Sequence, residues 1–125
     1  MPTDEFVDRL EIVRRRFASS LESNIKDIHA ELPSLSSGRA DAMDAVASAY
    51  RRIHGICGVG GAVGFAATGR AAKDVEDVLI GAYRGKRGLE AAEISRLEKV
   101  FGVLVATART ELDADSRFST SKDEK

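Results

Sequence analysis

Two histidines and one cysteine are the side chains of this 125-residue chain best suited to nucleophilic chemistry. One of each lies in a single stretch, Arg51-Arg52-Ile53-His54-Gly55-Ile56-Cys57-Gly58-Val59-Gly60-Gly61-Ala62-Val63-Gly64. A neutral imidazole nitrogen is a competent nucleophile, and a thiol becomes one when it ionises. His54 and Cys57 at i, i+3 could form a base and nucleophile, or Cys57 could act as a redox switch that blocks His54 when oxidised. Both readings are weak. One helix rarely supplies the third orienting group and the oxyanion donors of a thiol enzyme, and a free cysteine usually packs as a small apolar residue. Two histidines and one cysteine are also too few for a structural zinc site, so no metal site is expected. His29, beside Lys26, Asp27 and Glu31, reads as a surface residue.

Five glycines crowd the stretch from Gly55 to Gly64, and each interior glycine costs a helix about 1 kcal/mol relative to alanine. A phosphate-cradling loop is the sharper alternative. It lacks the Lys-Ser/Thr pair of a P-loop, the last glycine of GxGxxG and a preceding strand. On a helix turning about 100° per residue the glycines sort onto two faces. Gly60 falls with Ala42, Ala49, Ile53 and Ile56, where a missing side chain admits a neighbouring helix. Gly58 and Gly61, with Ala47, fall on the side of His54. The histidine would then stand beside a cleared surface, open to a large flat partner such as another protein.

The elements that position this stretch follow from apolar spacing. Phe6, Leu10, Val13, Phe17, Leu21, Ile25, Ile28 and Leu32 recur at steps of three or four and line one helix from Thr3 to Leu32, ended by Pro33. A second helix runs from near Arg39 to near Gly64. A third carries Ala71, Ala72, Val75, Val78, Leu79 and Ala82 and closes at Gly85 and Gly88. A fourth starts near Leu89 and carries Ile94, Leu97, Val100, Phe101, Leu104, Val105, Ala108 and Leu112. Strand-like alternation is not evident and the connections are short. The expectation is an all-α, up-down antiparallel four-helix bundle over residues 3–113, with a short, polar, disordered tail over 114–125.

With 19 basic and 20 acidic residues the net charge is −1, so no global field draws in nucleic acid or an anionic membrane. The lone cysteine fits a reducing compartment, and neither a signal-like segment nor a membrane-length apolar run is evident. A cytoplasmic protein is expected, and a monomer, because the apolar faces look fully used within one bundle.

The stretch around His54 resembles the signature of histidine-containing phosphotransfer (HPt) domains: His, any residue, an aliphatic, Lys, Gly, then after a spacer an apolar residue and Gly. His54, Ile56, Gly58, Val63 and Gly64 stand at matching positions, and Val75-Glu76 stands where the family often has Leu-Glu. The resemblance covers about residues 5–112, with its specific part within 53–76. It implies a four-helix bundle whose exposed histidine takes a phosphoryl group from one receiver-domain aspartate and passes it to another. It implies no ATP binding and no cofactor of its own, Mg²⁺ being supplied by the receiver. The partners implied are response-regulator receiver domains and a hybrid histidine kinase.

The departure from the family is Cys57, which stands where most members have lysine. A thiol cannot bring an ammonium to phosphoryl oxygens. Arg51, one turn before His54, is the replacement suggested by spacing alone; the alternative leaves Arg51 and Arg52 as a solvated basic pair. Partner docking and the phosphate surroundings are expected at Ala47, Tyr50, Arg51, Cys57, Gly58 and Gly61. Two other functions stay open at this point. One is a helical adaptor that binds a receiver or kinase without carrying phosphate, and the other is a cysteine-dependent or cofactor enzyme.

Overall fold

A computed structural model describes residues 4–123, with the side chains of 4, 6 and 116–123 outside the description. Four helices follow one another: α1 (Asp4–Glu31), α2 (Ala42–Gly60), α3 (Ala66–Arg84) and α4 (Ala91–Asp123). Single turns of 3-10 helix, Leu32–Ser34 and Gly61–Val63, follow α1 and α2. The chain forms the expected all-α antiparallel four-helix bundle, and no strand occurs among the described residues. No helix among them is long and apolar enough to cross a membrane.

The core is the apolar stripe of each helix. Leu21 and Ile28 of α1, Val46, Ala49, Ile53 and Ile56 of α2, Ala72, Val75 and Leu79 of α3, and Leu97, Leu104 and Ala108 of α4 are each at most 2% exposed. Burying one such large aliphatic side chain stabilises the fold by about 1.5–3 kcal/mol. At one end of the bundle the α1–α2 and α3–α4 connections are pinned together. Ser37 N–H donates to Leu89 C=O at 2.8 Å, and Leu89 N–H donates to Leu35 C=O at 2.7 Å.

The other end holds the glycine-rich turn between α2 and α3. Gly64 takes φ of 91°, which only glycine adopts without strain, and so reverses the chain in few residues. Phe65 is 2% exposed and packs its ring 5.1 Å from that of Phe17. The first turn of α3 is capped from α4, where Glu111 Oε1 accepts hydrogen bonds from Thr68 N–H at 2.7 Å and Thr68 Oγ1 at 2.6 Å. A carboxylate there satisfies open N–H groups and suits the positive end of the helix dipole.

Two expectations need correction or extension. The α1 stripe does not stay buried over its whole length. Leu10 and Val13 are 45% and 44% exposed, Val7 and Ile12 on other sides are exposed too, and the side chain of Phe6 lies outside the described residues. One reason is length: α1 spans 28 residues and α2 only 19, so the first turns of α1 project past the α2–α3 turn, while Val13 faces a groove that Gly55 of α2 leaves open. The end of α4 overhangs beside them, and Arg14 pairs there with Asp115. Hence the apolar faces are not fully used within one bundle. The backbone of the segment expected as a tail from 114 continues α4 in helical geometry to Asp123, and the behaviour of its side chains from 116 lies outside the described residues.

Candidate functional site

The outer face of α2 presents His54 with 66% of its side chain exposed. What holds the ring comes from two sides. Across α3, Glu76 Oε2 lies 2.7 Å from His54 Nδ1. On its own helix, the ring of Tyr50 lies 5.7 Å away and tilted by 13°, and Tyr50 in turn stacks on Tyr83 of α3 at 4.1 Å and 11°. Three nearly parallel rings thus run from the core edge to the surface, and the imidazole is the outermost.

Glu76 is a charge set inside an apolar stripe, between Ala72 and Leu79, and is 6% exposed. Such burial disfavours the carboxylate, but hydrogen bonds from His54 and Lys73, the positive charge of Lys73, and that of His54 when its ring is protonated outweigh it, leaving the carboxyl below its ordinary range. Ionised at neutral pH, it can only accept. Nδ1 therefore carries the proton and donates to Glu76, which leaves the lone pair on Nε2.

The second Glu76 oxygen is occupied as well. Lys73, one turn earlier on α3, places Nζ 3.2 Å from Glu76 Oε1 and 3.0 Å from Asp77 Oδ1. These hydrogen bonds, that of Asp77 foremost, raise the lysine above its ordinary pKa, so it stays cationic. Cys57 sits half-buried beside the same carboxylate. Burial first, then the negative charge of Glu76, push its thiol up to about 11, and Lys73 opposes the shift. Thiolate is then scarce at neutral pH, which weighs against both the nucleophile and the redox-switch readings.

Around the histidine the surface is bare. A Cβ added at Gly55, Gly58 or Gly61 would meet nothing within 4 Å. Gly55 and Val59, with Val13, Arg16 and Ser20 of α1, line a groove between α1 and α2. On the opposite face of the same helix a Cβ at Gly60 would fall 3.0 Å from Phe65 O and 3.3 Å from Gly69 Cα, so this glycine sets the close approach of α2 and α3.

Comparisons of the chain with protein-family models, with curated proteins and with solved structures give no match.

The residues expected at the site are therefore placed by geometry alone. Tyr50, Cys57 and Gly58 gather around His54; Ala47 is half-buried a turn and more before it, and Gly61 continues the bare face beyond it. Arg51 is exposed and has no hydrogen bond or ion pair among the described residues. Arg52 is not its solvated twin. It reaches α1, donating to Asn24 Oδ1 at 3.1 Å and pairing with Asp27 at 3.1 Å. His29 is exposed, as expected, and lies over Phe101 with ring centroids 6.5 Å apart. Lys73 and Tyr83 are absent from the sequence-derived set, and Glu76 enters it only as part of a resemblance. The available signal for Glu76 is its position in the stripe: an acidic residue between Ala72 and Leu79 at helical spacing is an exception that calls for a partner.

Proposed function

We propose that this chain is a phosphorelay intermediate in which His54 Nε2 accepts a phosphoryl group from the aspartate of one receiver domain and delivers it to the aspartate of another. The observation that carries this reading is the pairing of His54 Nδ1 with buried Glu76 at 2.7 Å, on an exposed ring flanked by glycines. The pairing fixes the nucleophilic nitrogen. As the Nε2–P bond forms, the bond between phosphorus and the aspartyl oxygen breaks and its electron pair leaves on the carboxylate. Nε2 holds no proton to be removed. The positive charge that grows on the ring faces Glu76, which makes that residue a positioning residue with an electrostatic role.

The receiver contributes Mg²⁺ and most of the stabilisation of the in-line transfer, and this chain contributes an oriented ring on a flat surface. Gly58, one turn past His54, lets the receiver's catalytic end come down over the ring, with Ala47, Tyr50, Arg51 and Gly61 around it. The protein is a stoichiometric carrier without ATP chemistry, acts in the cytoplasm, and takes its partners from receiver domains and hybrid histidine kinases. The resemblance around His54 supports the same reading.

The test is incubation with a ³²P-labelled phosphorylated receiver domain. Acid-labile label on the wild type and complete loss in His54→Gln are expected. Stable binding without label would replace the carrier by a phosphate-independent adaptor, the reading that Cys57 in place of lysine favours.

A further inference from the structure

We infer that Lys73, reaching across from α3, supplies the cationic contact to a phosphoryl group on His54 that Cys57 cannot supply from α2. The inference rests on the carrier reading of His54.

Register is the first ground. Helices α2 and α3 run antiparallel, with His54 opposite Glu76 and Gly60 opposite Gly69. Three residues onward along α2 and three back along α3 bring Cys57 opposite Lys73. The ammonium thus stands across the helix pair from the position where a lysine would be expected. Its link to the ring is one carboxylate: Glu76 takes His54 Nδ1 on one oxygen at 2.7 Å and Lys73 Nζ on the other at 3.2 Å. The influence of Lys73 on the Cys57 thiol reports the same proximity.

Mobility and charge are the second ground. The Lys73 side chain is 57% exposed on a flexible stem, so it can leave Asp77, itself 59% exposed, for a stronger acceptor without opening the core. A phosphoryl group on Nε2 brings three oxygens and close to two negative charges. Nζ is held by Glu76 and Asp77 of α3, with Cys57 of α2 within range of its charge and His54 on the other oxygen of Glu76. Arg51 is less well aimed. It is exposed and has no hydrogen bond or ion pair among the described residues, whereas Lys73 is already tied to the carboxylate that holds the ring.

The experiment uses the full chain and phosphoramidate, a small donor that needs no partner. The His54 Nε2–P bond forms as the P–N bond of the donor breaks and ammonia leaves. Product is followed by ³¹P NMR, and the phosphoryl group is titrated from its pH-dependent chemical shift. Loss of a nearby cation raises the phosphoryl pKa. Lys73→Gln should raise it by about half a unit or more, Lys73→Arg should hold it near wild type, and Cys57→Lys in the Lys73→Gln background should restore it. Equal titrations for wild type and Lys73→Gln overturn the inference while leaving the carrier reading intact. So does a shift produced by Arg51→Gln and not by Lys73→Gln. Absence of phosphohistidine at His54 in the wild type would overturn the carrier reading itself.

Discussion

Helix α2 carries glycine on two faces within a few residues of one another, and the two faces use it differently. On the inner face, Gly60 lies against the backbone of Phe65 and Gly69, and the absence of a side chain there is what lets α3 pack close. On the outer face, Gly55, Gly58 and Gly61 have nothing within 4 Å of where a Cβ would be. Packing does not call for those glycines. In a helix they weaken an otherwise regular element, and a feature that costs stability without a packing return is expected where another surface must come close. His54 stands on that outer face, while Glu76, which orients it directly, and Tyr83, which backs Tyr50, belong to the packed side of α3.

The largest test of this contrast is one substitution made twice. Gly60→Leu drives a side chain into backbone and should destabilise the fold by about 3 kcal/mol or more, read from urea unfolding. Gly58→Leu should leave stability unchanged or raise it by up to about 1 kcal/mol. It should nonetheless slow phosphoryl transfer from a receiver domain at least about ten-fold, with phosphorylation by phosphoramidate far less affected. Equal destabilisation at both positions would dissolve the distinction between the faces.

A smaller effect is expected where the two faces meet, at Glu76. Its carboxyl is held below the ordinary glutamate value of 4.5 in the folded protein. A group depressed on folding adds stability that is fully present above its unfolded pKa and is lost as pH falls through the folded value. The wild type should therefore lose stability below pH 4.5, and Glu76→Gln should flatten that part of the curve while slowing phosphorylation of His54 by phosphoramidate. A mutant curve that parallels the wild type would show that the carboxylate is not linked to folding in this way.

The smallest effect concerns Cys57, at the border of the two faces. With its thiol pushed up to about 11, alkylation by iodoacetamide at pH 7 should run at least about ten-fold slower than for free cysteine. Fast alkylation would place the thiol on the outer face after all.

Much of this was legible from residue order. The apolar steps from Phe17 to Ile28 and from Ala42 to Gly60 mark helices and their buried sides, because period and burial are properties of a single helix. The same rotation separates Gly60 from Gly58 and places His54 outward. Leu10 and Val13 fit the stripe equally well and are exposed, since periodicity says which side of a helix is apolar and is silent on whether a neighbour reaches that far. The partner of His54 was legible only as an acidic residue out of place in the α3 stripe.

By itself, then, the sequence determines four amphipathic helices, the turn at Gly64 and a histidine on the glycine-cleared side of α2. Only the tertiary structure decides that Glu76 meets Nδ1, that Lys73 lies opposite Cys57, that Arg52 is drawn to α1 and that Glu111 caps α3. The physical reason is register: the level at which two helices face each other is set by turn geometry and by the close contact at Gly60 and Gly69, a relation between segments that no spacing within either one records.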